Sequence, residues 1–287
     1  MLRPSIPSVS LAAALLVASA SSGAPGEIRG RVQVAGRPAA GVSVSVLPFE
    51  DGFAASCREA RREVRPSPLA AATTGRDGTF AMALPGRVAA GEAVRLAFAG
   101  GDVAPVVLDR LVGAAGEDVG DLRLPKAQAL AGRVRDERGG PVVGATVTLW
   151  AGRARGREET SGVSGVEQTT TTGSDGTFRF EGAAEDGNRL RFEAPAMATL
   201  EREGVRSGAL SRPVVLALGL VRRGTVVLPD RRTPAAGALV RFEGRTRTRW
   251  VETRPDGTFV LDGAPRETGA LVADAGDRGR GAAKVGA

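Results

Sequence analysis

The chain has 287 residues, 39 Lys plus Arg against 32 Asp plus Glu for a formal charge of +7, one cysteine, and no histidine or tyrosine at all. Without histidine there is no His-ligated zinc, no Ser-His-Asp triad and no Cys-His centre. With one cysteine there is no intrachain disulfide. Hydrophobic residues make up 42% but aromatics only 4%, so any core is built from Val, Leu and Ala around a few Phe.

The first 20 residues read as a secretory signal. Met1-Leu-Arg3 gives a positive start, Leu11-Ala-Ala-Ala-Leu-Leu-Val17 a short apolar centre, and Ala18-Ser-Ala20 a small-x-small cleavage site. No later segment approaches the ~20 apolar residues of a transmembrane helix, and no cysteine stands after the apolar run to carry an acyl anchor. The expectation is a chain exported to the periplasm, the outer surface or the medium, with no transmembrane helix once matured.

Beyond the leader, the chain uses one pattern three times. Thr74-Gly-Arg-Asp-Gly-Thr-Phe80, Thr172-Gly-Ser-Asp-Gly-Thr-Phe178 and Thr253-Arg-Pro-Asp-Gly-Thr-Phe259 each lie downstream of a Gly-x-Val element, at Gly30-Arg-Val32, Gly132-Arg-Val134 and Gly224-Thr-Val226. Asp-Gly between extended segments predicts a hairpin turn. The glycines Gly78, Gly176 and Gly257 accept positive φ, and Asp77, Asp175 and Asp256 accept backbone N–H bonds. Phe80, Phe178 and Phe259 are expected to drop into equivalent cores.

In the first copy the expected strands are Ile28 to Val34, Gly41 to Leu47, Phe80 to Leu84, Val94 to Phe98, Val106 to Leu108 and Asp121 to Leu124. An insertion at 48–72 interrupts them. Phe53, Cys57, Ala60 and Val64 recur there at helical spacing, which predicts a short helix, about 52–64, packing its stripe on the sandwich with Cys57 as a small buried hydrophobe. The second copy has Leu130 to Val134, a Gly/Pro turn at Asp136–Pro141, and Gly144 to Trp150 with Ala145, Val147 and Leu149 on one face. Thr169 to Phe180, Leu190 to Phe192 and Val214 to Leu218 complete it. The third copy has only 68 residues, few enough for an incomplete sandwich, and an excess of five positive charges (13 basic, 8 acidic). The boundaries expected are 27–124, 129–218 and 220–287. The short joins at Pro125–Gln128 and Gly219 predict a semi-rigid rod.

These elements, Gly-Arg-Val, then Gly-Pro or Arg-Pro before Gly-Ala/Val-x-Val, then Thr-x-x-Asp-Gly-Thr-Phe, resemble the carboxypeptidase regulatory-like domain. The resemblance implies an all-β chain of three tandem antiparallel, transthyretin-like sandwiches. It implies a non-catalytic role in adhesion, envelope architecture or carbohydrate-like ligand binding, with no cofactor and no metal.

Two features suit a ligand. Arg245, Arg247 and Arg249 alternate along the sequence, so on a strand they face one way at ~6.6–6.8 Å spacing. Such a row meets an anionic polymer or protects an edge strand, while Thr246, Thr248 and Trp250 point inward. Trp150 has the opposite parity to Val147 and Leu149 and lies on the outer face, to stack on a sugar or to pack on the 151–166 loop or a neighbouring repeat. The partners these features imply are an envelope protein, a polysaccharide or another surface polyanion, and not nucleic acid. Glu158-Glu159 and Glu185-Asp186 are adjacent acid pairs of the kind that carboxylate-based glycoside hydrolysis uses, but both sit in Gly-rich loops, where solvated charge is the ordinary reading. Asp77, Asp175 and Asp256 offer one carboxylate per turn, too few for a calcium loop.

Overall fold

The structure, a computed structural model, describes residues 26–50, 52–61, 63, 66–86, 88–113, 116–151 and 164–286. The signal segment 1–20, Val64 and the pair Glu158-Glu159 lie outside the described residues.

Three tandem β-sandwiches succeed one another. The first contains β1 (Glu27–Val34), β2 (Arg37–Pro38), β3 (Ser43–Pro48), helix α1 (Gly52–Arg61), β4 (Ala70–Thr73), β5 (Thr79–Ala83), β6 (Ala93–Gly100), β7 (Val103–Leu111) and β8 (Gly116–Leu124). The second contains β9 (Gln128–Asp136), β10 (Thr146–Trp150), β11 (Ser164–Gly165), β12 (Glu167–Thr171), β13 (Thr177–Ala183), β14 (Asn188–Glu193), β15 (Leu200–Val205), β16 (Gly208–Ala209) and β17 (Val214–Leu216). The third contains β18 (Leu220–Thr225), β19 (Leu239–Glu243), β20 (Val251–Glu252), β21 (Thr258–Ala264), β22 (Gly269–Asp274) and β23 (Arg280–Val285).

In each sandwich the strand carrying Gly-x-Val pairs with the strand carrying the phrase's Phe, so that Gly30 lies opposite Phe80, Gly132 opposite Phe178 and Gly224 opposite Phe259. The second sheet is β7-β6-β3-β4 in the first sandwich, β12-β10-β14-β15 in the second and β20-β19-β22-β23 in the third. Pairing is antiparallel except for the closing strands: β8 runs parallel to β1, and β16 and β17 run parallel to β9.

The repeated phrase does not make a hairpin. The strand before it (β4, β12, β20) pairs in one sheet, and the strand after it (β5, β13, β21) pairs in the other. The phrase is therefore a corner that carries the chain across the sandwich. The local turn is as expected, with Gly78, Gly176 and Gly257 at φ +78°, +77° and +76°. A local turn does not determine which sheet its flanks join. The crossing is held by the first Thr of the phrase, which is buried: Thr74 donates to Ala39 O and accepts from Val42 N, Thr172 bonds Val142 O and Ala145 N, and Thr253 bonds Ala235 O and Ala238 N.

Each sandwich has its own core. Phe80 meets Phe98 edge-on at 6.1 Å among Val, Leu and Ile side chains. Phe178 meets Phe180 at 6.1 Å and Phe192 at 5.6 Å. The third cluster is smaller, built on Val240, Phe242, Phe259, Leu261 and Ala264.

The sandwiches do not form a rod. Helix α1, inserted in the first, lays Phe53, Cys57 and Ala60 against Leu239, Trp250 and Val272 on the outer face of the third sandwich's larger sheet. The predicted apolar stripe is present, but it covers the third sandwich instead of its own, and Cys57 is half-buried. The third sandwich's sheet offers Trp250 and two aliphatics on its outside, and an amphipathic helix removes that surface from water. Arg61 adds a two-pronged ion pair with Glu252 at 2.8 and 2.9 Å, which holds the Glu252 carboxyl below its ordinary 4.5. Strand β11, from the second sandwich's long loop, extends the first sandwich's sheet by pairing with Val106 and Val107. Arg249 in the third reaches Glu193 in the second at 2.7 Å. Each sandwich thus touches the other two.

The cores and corners generate two expected outcomes. Phe178→Ala removes a ring packed against two others and costs about 3–5 kcal/mol, read as a shift in urea midpoint, whereas Phe49→Ala, at a side chain 46% exposed, leaves the midpoint unchanged. The second concerns acid. Asp77, Asp175 and Asp256 each accept the hydroxyl at 2.7 Å and the N–H of the Thr two residues on, and these bonds hold their carboxyls below the ordinary 3.8. The unfolded chain binds protons more readily, so the stabilisation is present in full above that ordinary value and is lost as pH falls through the lower folded-state values. Thermal melts from pH 6 to pH 2 should show wild type ahead of Asp175→Asn at pH 6, with the gap closing below pH 4. A gap constant down to pH 2 contradicts this account.

Candidate functional site

The residues singled out in the sequence do not converge on one site. Asp77, Asp175 and Asp256 sit at exposed corners, each engaged with its own Thr79, Thr177 or Thr258. Phe80, Phe178 and Phe259 are 4–6% exposed inside three separate cores.

The arginine row is not a row. Residues 244–246 form a bend, followed by a single bridge between Glu243 and Arg247, and strand pairing resumes only at Val251. Gly244 N donates to Thr246 O, which curls the segment, yet the burial still alternates, with Thr246 half-buried and Thr248 and Trp250 buried as the spacing predicts. Arg245 and Arg247 are exposed. Arg249 turns to Glu193 of the second sandwich, so its charge serves a contact between sandwiches. Thr248 and Trp250 are buried at 2% and 7%, Trp250 beneath helix α1 and under the Arg241 guanidinium at 4.1 Å.

Trp150 ends β10 opposite Arg189 and Glu167, half-buried. The guanidiniums of Arg189 and Arg191 lie 4.1 and 5.0 Å from its ring centre. A sugar stacking on this indole would have to displace cations already held by the ring's quadrupole. Trp150 also borders a cleft of about 240 Å³ between the first and second sandwiches, faced by Leu47, Pro48, Arg58 and Arg95 from one side and Val166, Glu167, Arg189 and Arg191 from the other. Three of its cations are neutralised in place. Arg58 forks onto Glu50 at 3.0–3.1 Å, Arg95 forks onto Asp109 at 2.7 and 3.0 Å, and Arg191 meets Glu201 at 2.7 Å with both side chains about nine-tenths buried. Asp109 deepens the charged state of Arg95, raising it above its ordinary value. Such forked, satisfied pairs fix orientation between two bodies.

For chemistry the described residues offer little. Glu185 and Asp186 lie side by side on an exposed bend, and among the described residues no group of three or more Cys, Asp or Glu is placed to hold a metal ion. Among them, too, no helix is long and apolar enough to cross a membrane.

Sequence reasoning missed two sets of residues that matter more than those it named. One is the buried Thr74, Thr172 and Thr253, 4–5% exposed, which open the three phrases and have no role in that reading. Their recurrence at the same place in all three phrases was the available signal. The other is the glycine of Gly-x-Val. A Cβ on Gly132 would stand 2.7 Å from the Phe178 ring, and one on Gly224 would stand 2.9 Å from Phe259.

No curated protein matches the chain. Among solved structures it is similar to the shaft pilin spaA from Lactobacillus rhamnosus GG, at 11% identity and a TM-score of 0.24 over 71% of this chain and 100% of that one. It is similar to the minor pilin GBS52 from Streptococcus agalactiae, at 12% and 0.30 over 71% and 99%, and to a Streptococcal ancillary pilin, at 12% and 0.24 over 91% and 95%. Residues 129–217, which run from β9 through β17, match the family model of the Carboxypeptidase regulatory-like domain.

Proposed function

We propose that the chain is an exported, non-catalytic structural or interaction module of the cell envelope. On this reading a leader at 1–20 is removed and the sandwiches at 27–124, 129–218 and 220–287 act as one block. The observation that carries it is the mutual locking of the three bodies. The helix of the first covers Trp250 of the third, β11 of the second extends the first, and Arg249 of the third meets Glu193 of the second. A row of independent binding modules has no use for such contacts, whereas a load-bearing or presenting block does. The absence of histidine from the whole chain supports a role without acid–base or metal chemistry.

Two measurements test it. Full-length chain expressed in a bacterium should be recovered outside the cytoplasm with an intact mass that begins after Ala20, and should turn over no chromogenic glycoside. An unprocessed cytoplasmic product, or turnover abolished by Glu185→Gln, overturns the reading. For the block itself, Phe53→Asp with Glu252→Ala should release helix α1, so that trypsin cuts after Arg58 or Arg61 severalfold faster than in wild type while the far-ultraviolet spectrum of the sheets is kept. Equal cleavage rates would show that the helix is not a lock.

A further inference from the structure

In the first two sandwiches the opening strand is paired on both edges. β1 has β5 on one side and β8, parallel, on the other, from Glu27 opposite Gly116 to Val34 opposite Leu124. β9 has β13 on one side and β16 and β17, parallel, on the other, with Leu130 opposite Gly208 and Val134 opposite Val214. In the third sandwich β18 pairs with β21 alone, and among the described residues no strand lies along its second edge.

Burial registers the difference. Val32 and Val134 are fully buried. Val226 stands at their position, since the N–H groups of Val32, Val134 and Val226 all bond the carbonyl of the turn glycine, and it is only half-buried. On the outward face of the same segment, at the positions of Glu27 and Gln33, Val221 and Val227 are 49% and 44% exposed. The closing strands also place an apolar side chain over the Gly-x-Val glycine: a Cβ at Gly30 would meet Val119, one at Gly132 would meet Leu210, and one at Gly224 would meet Phe259 only.

We propose that the second edge of β18 is a strand-acceptor site for an extended, acidic and apolar peptide segment of a partner protein, taken in parallel register. This deepens the interaction reading above but stands on the edge geometry alone. Backbone groups of the edge give affinity, and the side chains along it select the peptide. The selection can be read from β8. Aligned on the glycine, Val221-Arg-Arg-Gly-Thr-Val-Val-Leu228 matches Glu27-Ile-Arg-Gly-Arg-Val-Gln-Val34. In the first sandwich Arg29 lies opposite Asp118 and pairs with it at 3.0 Å, while Leu122 and Leu124 lie beside Val32 and Val34. By the same register Arg223 faces a carboxylate, and Val226 and Leu228 face two apolar residues one apart.

Arg222 adds a second demand. It occupies the inward position filled by Ile28 and Leu130, its Nη2 donates to Gly286 O at 2.5 Å, and its Nε is shut from solvent without a hydrogen-bond partner. A carboxylate at the position of Glu117, opposite Ile28 in the first sandwich, would stand beside it. A second copy is a poor occupant, because two β18 edges brought together set Arg222 and Arg223 against the same residues in a sandwich with an excess of five positive charges.

The probe is a labelled peptide with the sequence of Gly116–Leu124, added to the full chain and monitored by fluorescence anisotropy. In the first sandwich β8 is tethered at high effective concentration, so the free peptide does not displace it. Saturable binding is expected, at least tenfold tighter than for a scrambled peptide of the same composition and at least tenfold weaker with Arg223→Glu. Arg223 is exposed, so this variant keeps the fold. A peptide carrying Asp118→Lys should regain binding to Arg223→Glu and not to wild type. Equal binding of native and scrambled peptides, lost at high salt, would show adsorption of a polyanion and overturn the proposal. Absence of binding, or dimers of the chain that Arg223→Glu alters, would overturn it too. None of these outcomes touches the export and turnover measurements, so the two readings fail separately.

Discussion

A phenylalanine ring lying against bare glycine backbone is the contact on which each sandwich depends. Gly132 and Phe178 face each other across neighbouring strands, and any Cβ at the glycine would enter the ring's own volume. The ring fills the interior only because the opposite strand is thinned at that point, and the glycine is tolerated in a strand only because the ring covers it. The buried Thr of the phrase then ties the corner to the turn that opens β3, β10 or β19, taking one hydrogen bond and giving one in the core's interior, where an unmade bond is costly. Gly, Thr and Phe therefore form one unit assembled from distant parts of each repeat. Its threefold recurrence is the recurrence of a packing solution more than of a turn.

That distinction explains what could be read from the sequence. Phe80, Phe178 and Phe259 as core residues, the turn glycines and the aspartate acceptors are local consequences of local residues, and the alternation in Ala145, Val147 and Leu149 gave the buried face of β10. The hairpin reading failed at the same phrase because an Asp-Gly turn sets only its own few residues and leaves open which sheet its flanks join. That choice is made by Thr172 reaching Val142 and Ala145, a contact 27–30 residues away in the chain. The arginine segment departed from its reading only in part: Thr248 and Trp250 point inward as the spacing predicts, but Arg249 is drawn to Glu193 of the second sandwich. Alternation of Arg245, Arg247 and Arg249 is a strand signal only if the chain is extended, and a backbone bond from Gly244 to Thr246 bends it.

Helix α1 shows a third kind of limit. Its stripe of Phe53, Cys57 and Ala60 was legible from spacing, but periodicity says that a face must be covered and not by what. The third sandwich has the smallest core, and covering Trp250 from outside compensates in part for what Val240, Phe242 and Phe259 do not supply within. The interaction is mainly apolar. The Arg61–Glu252 pair sits at its exposed rim, where solvent screens the attraction and the ion pair chiefly fixes the helix's orientation.

The same smallness bears on the edge of β18. An edge strand with exposed Val221 and Val227 is an aggregation hazard unless something discriminates between strands that add to it. Arg222 and Arg223 do so by sign: they repel a second copy of themselves and attract a strand built like β8, where Glu117, Asp118 and Asp121 precede Leu122 and Leu124. In the first sandwich this complementarity is satisfied within the chain, Arg29 against Asp118. In the third, the cationic half is presented without its acidic half, which accounts for part of the basic character of residues 220–287. Charge at this edge both keeps the protein from joining itself and specifies what it joins.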